Sequence, residues 1–274
     1  MTALDIKILT PEEQHERDLQ QLKAYRPIDD DFMRELFRNN LPLAQFVLRI
    51  ITGIEDLVLT SEETQYDMKR LLGARSICLD VLGTDSKNRR FNLEVQRADS
   101  GTRPKRARYH SAAMDIEFLD KKHDFEDLPI TYTIFITEND VFNTGKPLYP
   151  VERINMATGK PFEDDEHILY VNGAYVGDSD LGKLVHDFRC SSADDMYFDI
   201  LAERTRYFKE DPKGVSYMCK LMEDRVKENR LMEKVQIALK MLSKGILSHE
   251  DIADYTGLSL KDVQELSERG NASA

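Results

Sequence analysis

The sequence predicts an α/β fold, a mixed sheet flanked by helices, with a helical extension at the C-terminus. Three observations carry that expectation. Residues 75–96 read as two short strands joined by a polar turn. Residues 130–137 form a β-prone run beyond a helical segment. From Pro212 to Ser243, apolar residues recur at helical spacing. Helix, strands, helix, strand is the order of an α/β sandwich.

Taken in order, residues 1–29 are a polar lead-in, expected to be mobile. Pro27 and the Asp29-Asp30-Asp31 run make a helix entry, with acids near the positive end of the helix dipole, and a helix follows to Arg38. A second helix runs from Pro42 to Thr52, carrying Phe46, Val47, Ile50 and Ile51 at helical spacing, and Gly53 ends it. Leu57–Leu59 is a candidate first strand. The next two strands are Ser76–Val81 and Arg90–Gln96, separated by Gly83-Thr84-Asp85-Ser86-Lys87-Asn88, which is rich in turn formers. Tyr109–Leu119 is a helix. Ile130–Thr137, all β-branched or aromatic, is the expected central strand. His167–Gly173 reads as another strand, preceded by a solvated acidic loop at Glu163–Glu166. Ala193–Lys209 is helical. A long helix from Pro212 to Ser243 carries Met218, Leu221, Met222 and Val226, then Leu231, Met232, Val235, Ala238, Leu239 and Leu242, an amphipathic stripe suited to packing or to a dimer seam. The domain scheme is therefore a lead-in over 1–29, a core domain over 30–210 and a helical extension over 211–274.

Composition bounds the function. Of 274 residues, 41% are hydrophobic and 32% charged, as in an ordinary soluble protein. No apolar stretch is long enough to span a bilayer, and the start of the chain lacks the basic-then-apolar pattern of a secretory signal. Three dispersed cysteines, Cys78, Cys190 and Cys219, suggest neither a disulfide framework nor a zinc site, so a reducing, cytoplasmic setting is expected. A net charge of −12 argues against coating DNA by bulk electrostatics, because duplex affinity rests on neutralised phosphates. A phosphate-cradling Gly-rich loop with its Lys-Ser/Thr and a serine nucleophile elbow are both missing.

The strand pair at 76–96 carries the chemistry. Side chains alternate between faces along a strand, so Asp80 shares a face with Cys78, and Glu94 shares one with Asn92 and Gln96. If the strands pair as a hairpin, Asp80 and Glu94 converge with Gln96 beside them. Two carboxylates next to a neutral amide suit a divalent, oxygen-loving cation and a water. Alternation by itself is also what any half-exposed strand shows.

That pattern, Asp, a hairpin-length gap, then Glu-x-Gln, resembles the core of the PD-(D/E)xK nuclease superfamily, in many members of which a Lys stands where Gln96 stands here. The Glu-x-Gln form resembles one branch, the Rpn family of recombination-promoting nucleases and transposases. Asp30–Phe37 resembles that branch's opening Asp-x-x-Phe-Lys-x-x-Phe helix, with Met33 for the Phe and Arg34 for the Lys. Arg75 precedes the Asp80 strand where the family usually has a basic residue. Arg106–Tyr109 with Ser111 resembles its Arg-x-x-Tyr-x-Ser helix. Leu242–Ile246, Ile252-Ala253 and Thr256–Ser259 resemble its common tail, so the resemblance spans residues 30–266.

The resemblance implies a metal-dependent DNA endonuclease tied to recombination, transposition or phage defence. Asp80 and Glu94 become ligands for Mg²⁺ or Mn²⁺, joined by the backbone carbonyl of Val95. Gln96 becomes the residue that orients water, and an acid of the first helix, with Glu35 favoured, becomes a remote ligand. Gln delivers neither a proton nor a positive charge, which makes it a weaker partner than Lys. The remaining expectations rest on the residues themselves. Arg103, Lys105, Arg106 and Arg108 form the one dense basic cluster, placed to hold phosphates together with Arg75, and Tyr109 can stack or bond to a phosphate oxygen. Ala253, Gly257 and Val263 stand at helix-turn-helix spacing around Ile252, Leu258 and Leu266. The second tail helix offers one Lys and one Gln among acids, which favours packing or partner contact over base reading. A second reading keeps the fold without catalysis, as a silent relative that binds protein or DNA through the long helix and tail.

Overall fold

The computed structural model describes residues 10–68, 78–97, 103–119 and 121–272. Two compact units divide the chain. One is Lys23–Asp211; the other combines Met1–Leu22 with Pro212–Ala274.

The first unit is built on a six-stranded mixed sheet. Its strands are β1 (Leu59–Asp67), β2 (Cys78–Asp85), β3 (Arg90–Gln96), β4 (Thr131–Thr137), β5 (Leu148–Val151) and β8 (Glu166–Asn172), in the spatial order β1-β2-β3-β4-β8-β5. β6 (Ile154–Asn155) and β7 (Lys160–Pro161) form a separate small ribbon. β1, β2 and β3 are antiparallel neighbours, β3, β4 and β8 run parallel, and β5 returns antiparallel. The parallel step from β3 to β4 needs a crossover, supplied by α4 (Pro104–Phe118). The three parallel strands are flush, with Gln96, Thr137 and Asn172 in one register row. Aromatic residues at matched positions stack across them: Phe91 on Tyr132 at 4.9 Å, Tyr132 on His167 at 4.6 Å and Phe135 on Tyr170 at 5.3 Å between ring centres. Such cross-strand pairs fix register.

Helices cover the two faces. α3 (Leu41–Thr52) starts at Asn40, whose side chain accepts from the Leu43 N–H, and stops at Gly53 in the left-handed conformation, φ 70°. It packs close to Gly83 of β2, where a Cβ would stand 3.2 Å from Leu59 and 3.5 Å from Leu48. α4 lies on the face that bears Asn92 and Thr133, whose hydroxyl points to the sulfur of Met114. α2 (Asp30–Phe37) buries Phe32, Met33, Leu36 and Phe37, while α5 (Asp180–Arg189) and α6 (Asp199–Lys209) complete the layer with Phe188 and Phe208.

In the second unit, α7 (Pro212–Leu242), α8 (His249–Thr256) and α9 (Leu260–Ala272) close around Ala238, Ile252, Leu258 and Val263. Ser248 and Asp251 form a reciprocal cap at the start of α8, and Gly257 ends it at φ 64°.

The α/β class and the helical C-terminal region agree with the sequence-based expectation. Several boundaries differ. β1 begins where the first strand was expected to end. β2 runs through Gly83 to Asp85, so the turn shrinks to residues 86–89. It is held by the Asp85 carboxylate, which accepts from the N–H groups of Lys87 (3.0 Å) and Arg89 (2.9 Å). Ser76, Ile77 and Arg75 lie outside the described residues. α4 starts at Pro104 rather than Tyr109, because Pro suits the first position of a helix. α1 (Pro11–Ala24) lies in the expected lead-in, and α5 was not expected.

Candidate active site

The site forms where the β2–β3 ladder opens. Paired residues end at Val81 and Leu93. Beyond them the backbone N–H of Asp80 donates to Oε1 of Glu94 (3.4 Å), and that of Val95 donates to Oδ2 of Asp80 (3.3 Å). The two strands thus stay linked through their own carboxylates instead of through carbonyls. Continuing the register puts Asp80 opposite Glu94, on the face expected from strand alternation.

Both acids are desolvated: Asp80 is 8% exposed and Glu94 1%. Burial, and then the charge of Glu94, push the Asp80 carboxyl up to about 6, against the opposing pull of Arg34 and the Val95 N–H. Two guanidinium groups face the pair. Arg34 Nη2 of α2 stands 3.4 Å from Asp80 Oδ1, and Arg106 Nη2 of α4 stands 3.3 Å from Glu94 Oε2. Charge-assisted hydrogen bonds close to about 2.8 Å when optimal, so neither cation clasps its acid tightly. Two adjacent, buried, hard oxygen donors with loose counter-charges fit a divalent cation.

Arg106 also reaches Gln96 Oε1 with Nη1 (3.3 Å), bridging Glu94 and Gln96. Its Nε donates to His110 Nε2 at 3.3 Å, and His110 Nδ1 stands 3.5 Å from Glu94 Oε1. His110 is 5% exposed and belongs to the site, although its sequence context gave it no role. The signal available was its spacing of four from Arg106, one helical turn on the same face. Arg34 stood out in the sequence only as a substitute for Lys.

The remaining candidates divide. Glu35 is buried, and its carboxylate accepts from Arg38 Nε (2.9 Å) and Nη2 (3.0 Å). The charge of Asp30, at the start of α2, also raises the Asp80 carboxyl. Neither Asp30 nor Asp31 caps the helix: the cap position is Asp29, whose carboxylate takes Arg26 and Arg97 instead. Arg103, Lys105, Arg108 and Tyr109 are exposed, while Arg106 turns inward. These residues sit at and within the first turns of α4, a helix with no acid in its first turn and no side-chain cap at Arg103. No described helix is long and apolar enough to cross a membrane.

Comparison with known proteins adds one finding. Residues 43–179, half of the chain, match the sequence model of a family described as PD-(D/E)XK nuclease family transposase. The matched span holds β2, β3, α4, β4 and β8, and with them Asp80, Glu94 and Gln96. No curated protein and no solved structure gives a match.

Proposed function

The chain belongs to the PD-(D/E)XK nuclease family transposases, and from that membership we propose that it is a divalent-metal-dependent DNA endonuclease hydrolysing phosphodiester bonds. Asp80 and Glu94, with the backbone carbonyl of Val95, hold Mg²⁺ or Mn²⁺. The ion supplies activation of water and charge compensation on the scissile phosphate. The observation that carries this reading is the convergence of Asp80 and Glu94 where the ladder opens, with backbone N–H groups fixing each carboxylate.

The chain's own residues divide the work. Gln96 orients the attacking water through its amide, and in this role it takes no proton. Arg106 keeps Glu94 and Gln96 in register, and its guanidinium is poised to pass to a phosphate oxygen when DNA enters. His110 fixes Arg106 beside Glu94. Glu35, buried in α2 and paired with Arg38, is the acid of that helix proposed as the remote ligand. Arg103, Lys105 and Arg108, with Arg75 and Tyr109, hold the DNA backbone. Cations at a helix N-terminus oppose the helix dipole, and that unfavourable placement is compensated when phosphate binds.

We assign the nuclease domain to residues 30–210 and a contact module to 211–274, in a cytoplasmic protein that acts in recombination, transposition or phage defence. Leu231, Met232 and Ile237 of α7 are 54%, 62% and 47% exposed, which supports self-association through this helix. Leu231→Glu with Met232→Glu should shift a concentration-dependent dimer to monomer in sedimentation. A wild type that is monomeric at all concentrations would remove that part.

Cleavage of supercoiled plasmid tests the activity. Wild type should nick it with Mg²⁺ or Mn²⁺ and not with EDTA, and Asp80→Ala and Glu94→Ala should be at background. Equal cleavage by both purified variants would refute the assignment. Absence of cleavage with any metal favours the catalytically silent, DNA- or protein-binding reading.

A further inference from the structure

The last turn of α5 and the segment after it hold a second set of ligating side chains, on elements that the hairpin site does not use. His186, Asp187 and Cys190 each present one ligand atom, all within 4.8 Å of one another. Asp187 is fully buried, and its two oxygens accept from the N–H groups of Tyr197 (2.8 Å) and Phe198 (2.9 Å). A carboxylate offers about four lone-pair sites, so two remain after those bonds. Its Oδ1 stands 3.2 Å from His186 Nδ1. Cys190 Sγ lies 3.5 Å from the same nitrogen and is held near the carbonyls of His186 and Asp195. The His186 ring is half exposed, edge-on to Tyr197, and the cluster opens into a cavity of about 370 Å³.

We propose that His186, Asp187 and Cys190 bind a divalent transition metal of the Zn²⁺ class, with a water from the cavity completing four-coordination. One nitrogen, one oxygen and one sulfur form a borderline-soft donor set, which selects Zn²⁺-like ions over Mg²⁺. Ordinary zinc bond lengths in a tetrahedron require nitrogen–oxygen separations of about 3.4 Å and nitrogen–sulfur separations of about 3.6 Å. At 3.2 and 3.5 Å, with all three donors within 4.8 Å, the ligand atoms are already gathered within reach of one ion before the ring turns. Spacing of four places His186 and Cys190 one turn apart on the same side of α5. The sulfur also stands 3.9 Å from Nε2, hence over the ring, so on binding the exposed imidazole turns about its Cβ–Cγ bond to aim Nδ1 at the ion. Cys190 gives its thiol proton to solvent in the same step. Of the two cations lining the cavity, Arg26 is already paired with Asp29 (3.1 Å) and Glu138 (2.9 Å), leaving Arg189 as the opposing charge. The ion would tie the end of α5 to the Ala193–Phe198 segment that Asp187 already pins.

Cobalt titration of the full-length, metal-free protein tests this. Co²⁺ should give a thiolate-to-metal charge-transfer band with the intense d–d bands of a tetrahedral site, and Zn²⁺ should displace them. Cys190→Ser should abolish the charge-transfer band. His186→Ala, which alters an exposed ring, should weaken Co²⁺ binding at least about tenfold. Cys78 shares the strand face of Asp80, so Cys78→Ser, which should keep the band that Cys190→Ser abolishes, reads the two sites separately. No charge-transfer band in wild type, or an undiminished one in Cys190→Ser, overturns the proposal. If Cys190→Ser fails to fold, unchanged Co²⁺ affinity in His186→Ala overturns it.

Discussion

Asp80 concentrates the opposing demands on this molecule. Its carboxyl titrates near 6 because burial and Glu94 penalise its charge, whereas in an unfolded chain it titrates near 3.9. Between those values the folded state keeps a proton that the unfolded state has lost. Stability linked to Asp80 is therefore present below about pH 4 and is lost as pH rises through about 6. With EDTA present, the melting temperature should carry that downward contribution across the window, and Asp80→Asn should lack it. Identical pH profiles for the two proteins would show that Asp80 is not the source. The same carboxylate, ionised, is the one that welcomes a cation, so stability is given up where the metal is needed. Gln96 acts more weakly. Gln96→Ala should slow plasmid nicking by roughly 10²–10³-fold, the cost of losing one positioned polar group, while Asp80→Ala removes it altogether. Equal rates for Gln96→Ala and wild type would deny Gln96 its role.

At the scale of the element, α4 trades its own stability for binding. Arg103 and Lys105 sit at the end of the helix where the dipole prefers acids, and Arg108 follows one turn on. Replacing all three with Ala should leave the melting temperature unchanged or slightly higher. DNA binding should weaken, and the salt slope of affinity should flatten by about 0.9 for each phosphate that is no longer neutralised. A steep, wild-type salt slope in the triple variant would place the DNA elsewhere. The basic cluster is legible in the sequence, but the residues before Tyr109 read there as a loop. Burial of Ala107, His110 and Met114 extends the helix back to Pro104. Two helices leave no signal in the sequence, for different reasons. α1 has too few apolar residues to show a stripe, and α5 follows directly on Gly177-Asp178-Ser179, which reads as a turn until Ser179 accepts from the Gly182 N–H (3.1 Å) and becomes the cap.

At the scale of the whole unit from Lys23 to Asp211, Lys209 closes the helical layer. Its ammonium, at the end of α6, donates to the carbonyls of Lys23, Tyr25 and Ser191 and stands 5.3 Å from the centre of the Phe32 ring. Burial pulls its pKa down to about 8. Lys209→Met should orphan those carbonyls and destabilise the protein by about 1–3 kcal/mol in denaturant unfolding, without new cleavage defects beyond those of folding. A destabilisation of less than about 0.5 kcal/mol would make the tie incidental.

The sequence by itself determined the α/β order and the shared face of the carboxylates at the heart of the candidate site. It did so because strand alternation fixes which side each residue of a hairpin faces, and Asp80 and Glu94 lie on the side that pairing brings together. The β-branched run of β4 and the Gly53 stop were legible for the same local reason. Tertiary structure alone decided which charges meet. Arg106 turns to Glu94 while Arg108 faces solvent, Arg34 reaches Asp80 from another helix, and Glu35 is paired with Arg38. Those choices depend on how helices distant in sequence are laid against the sheet, which no periodicity along the chain encodes.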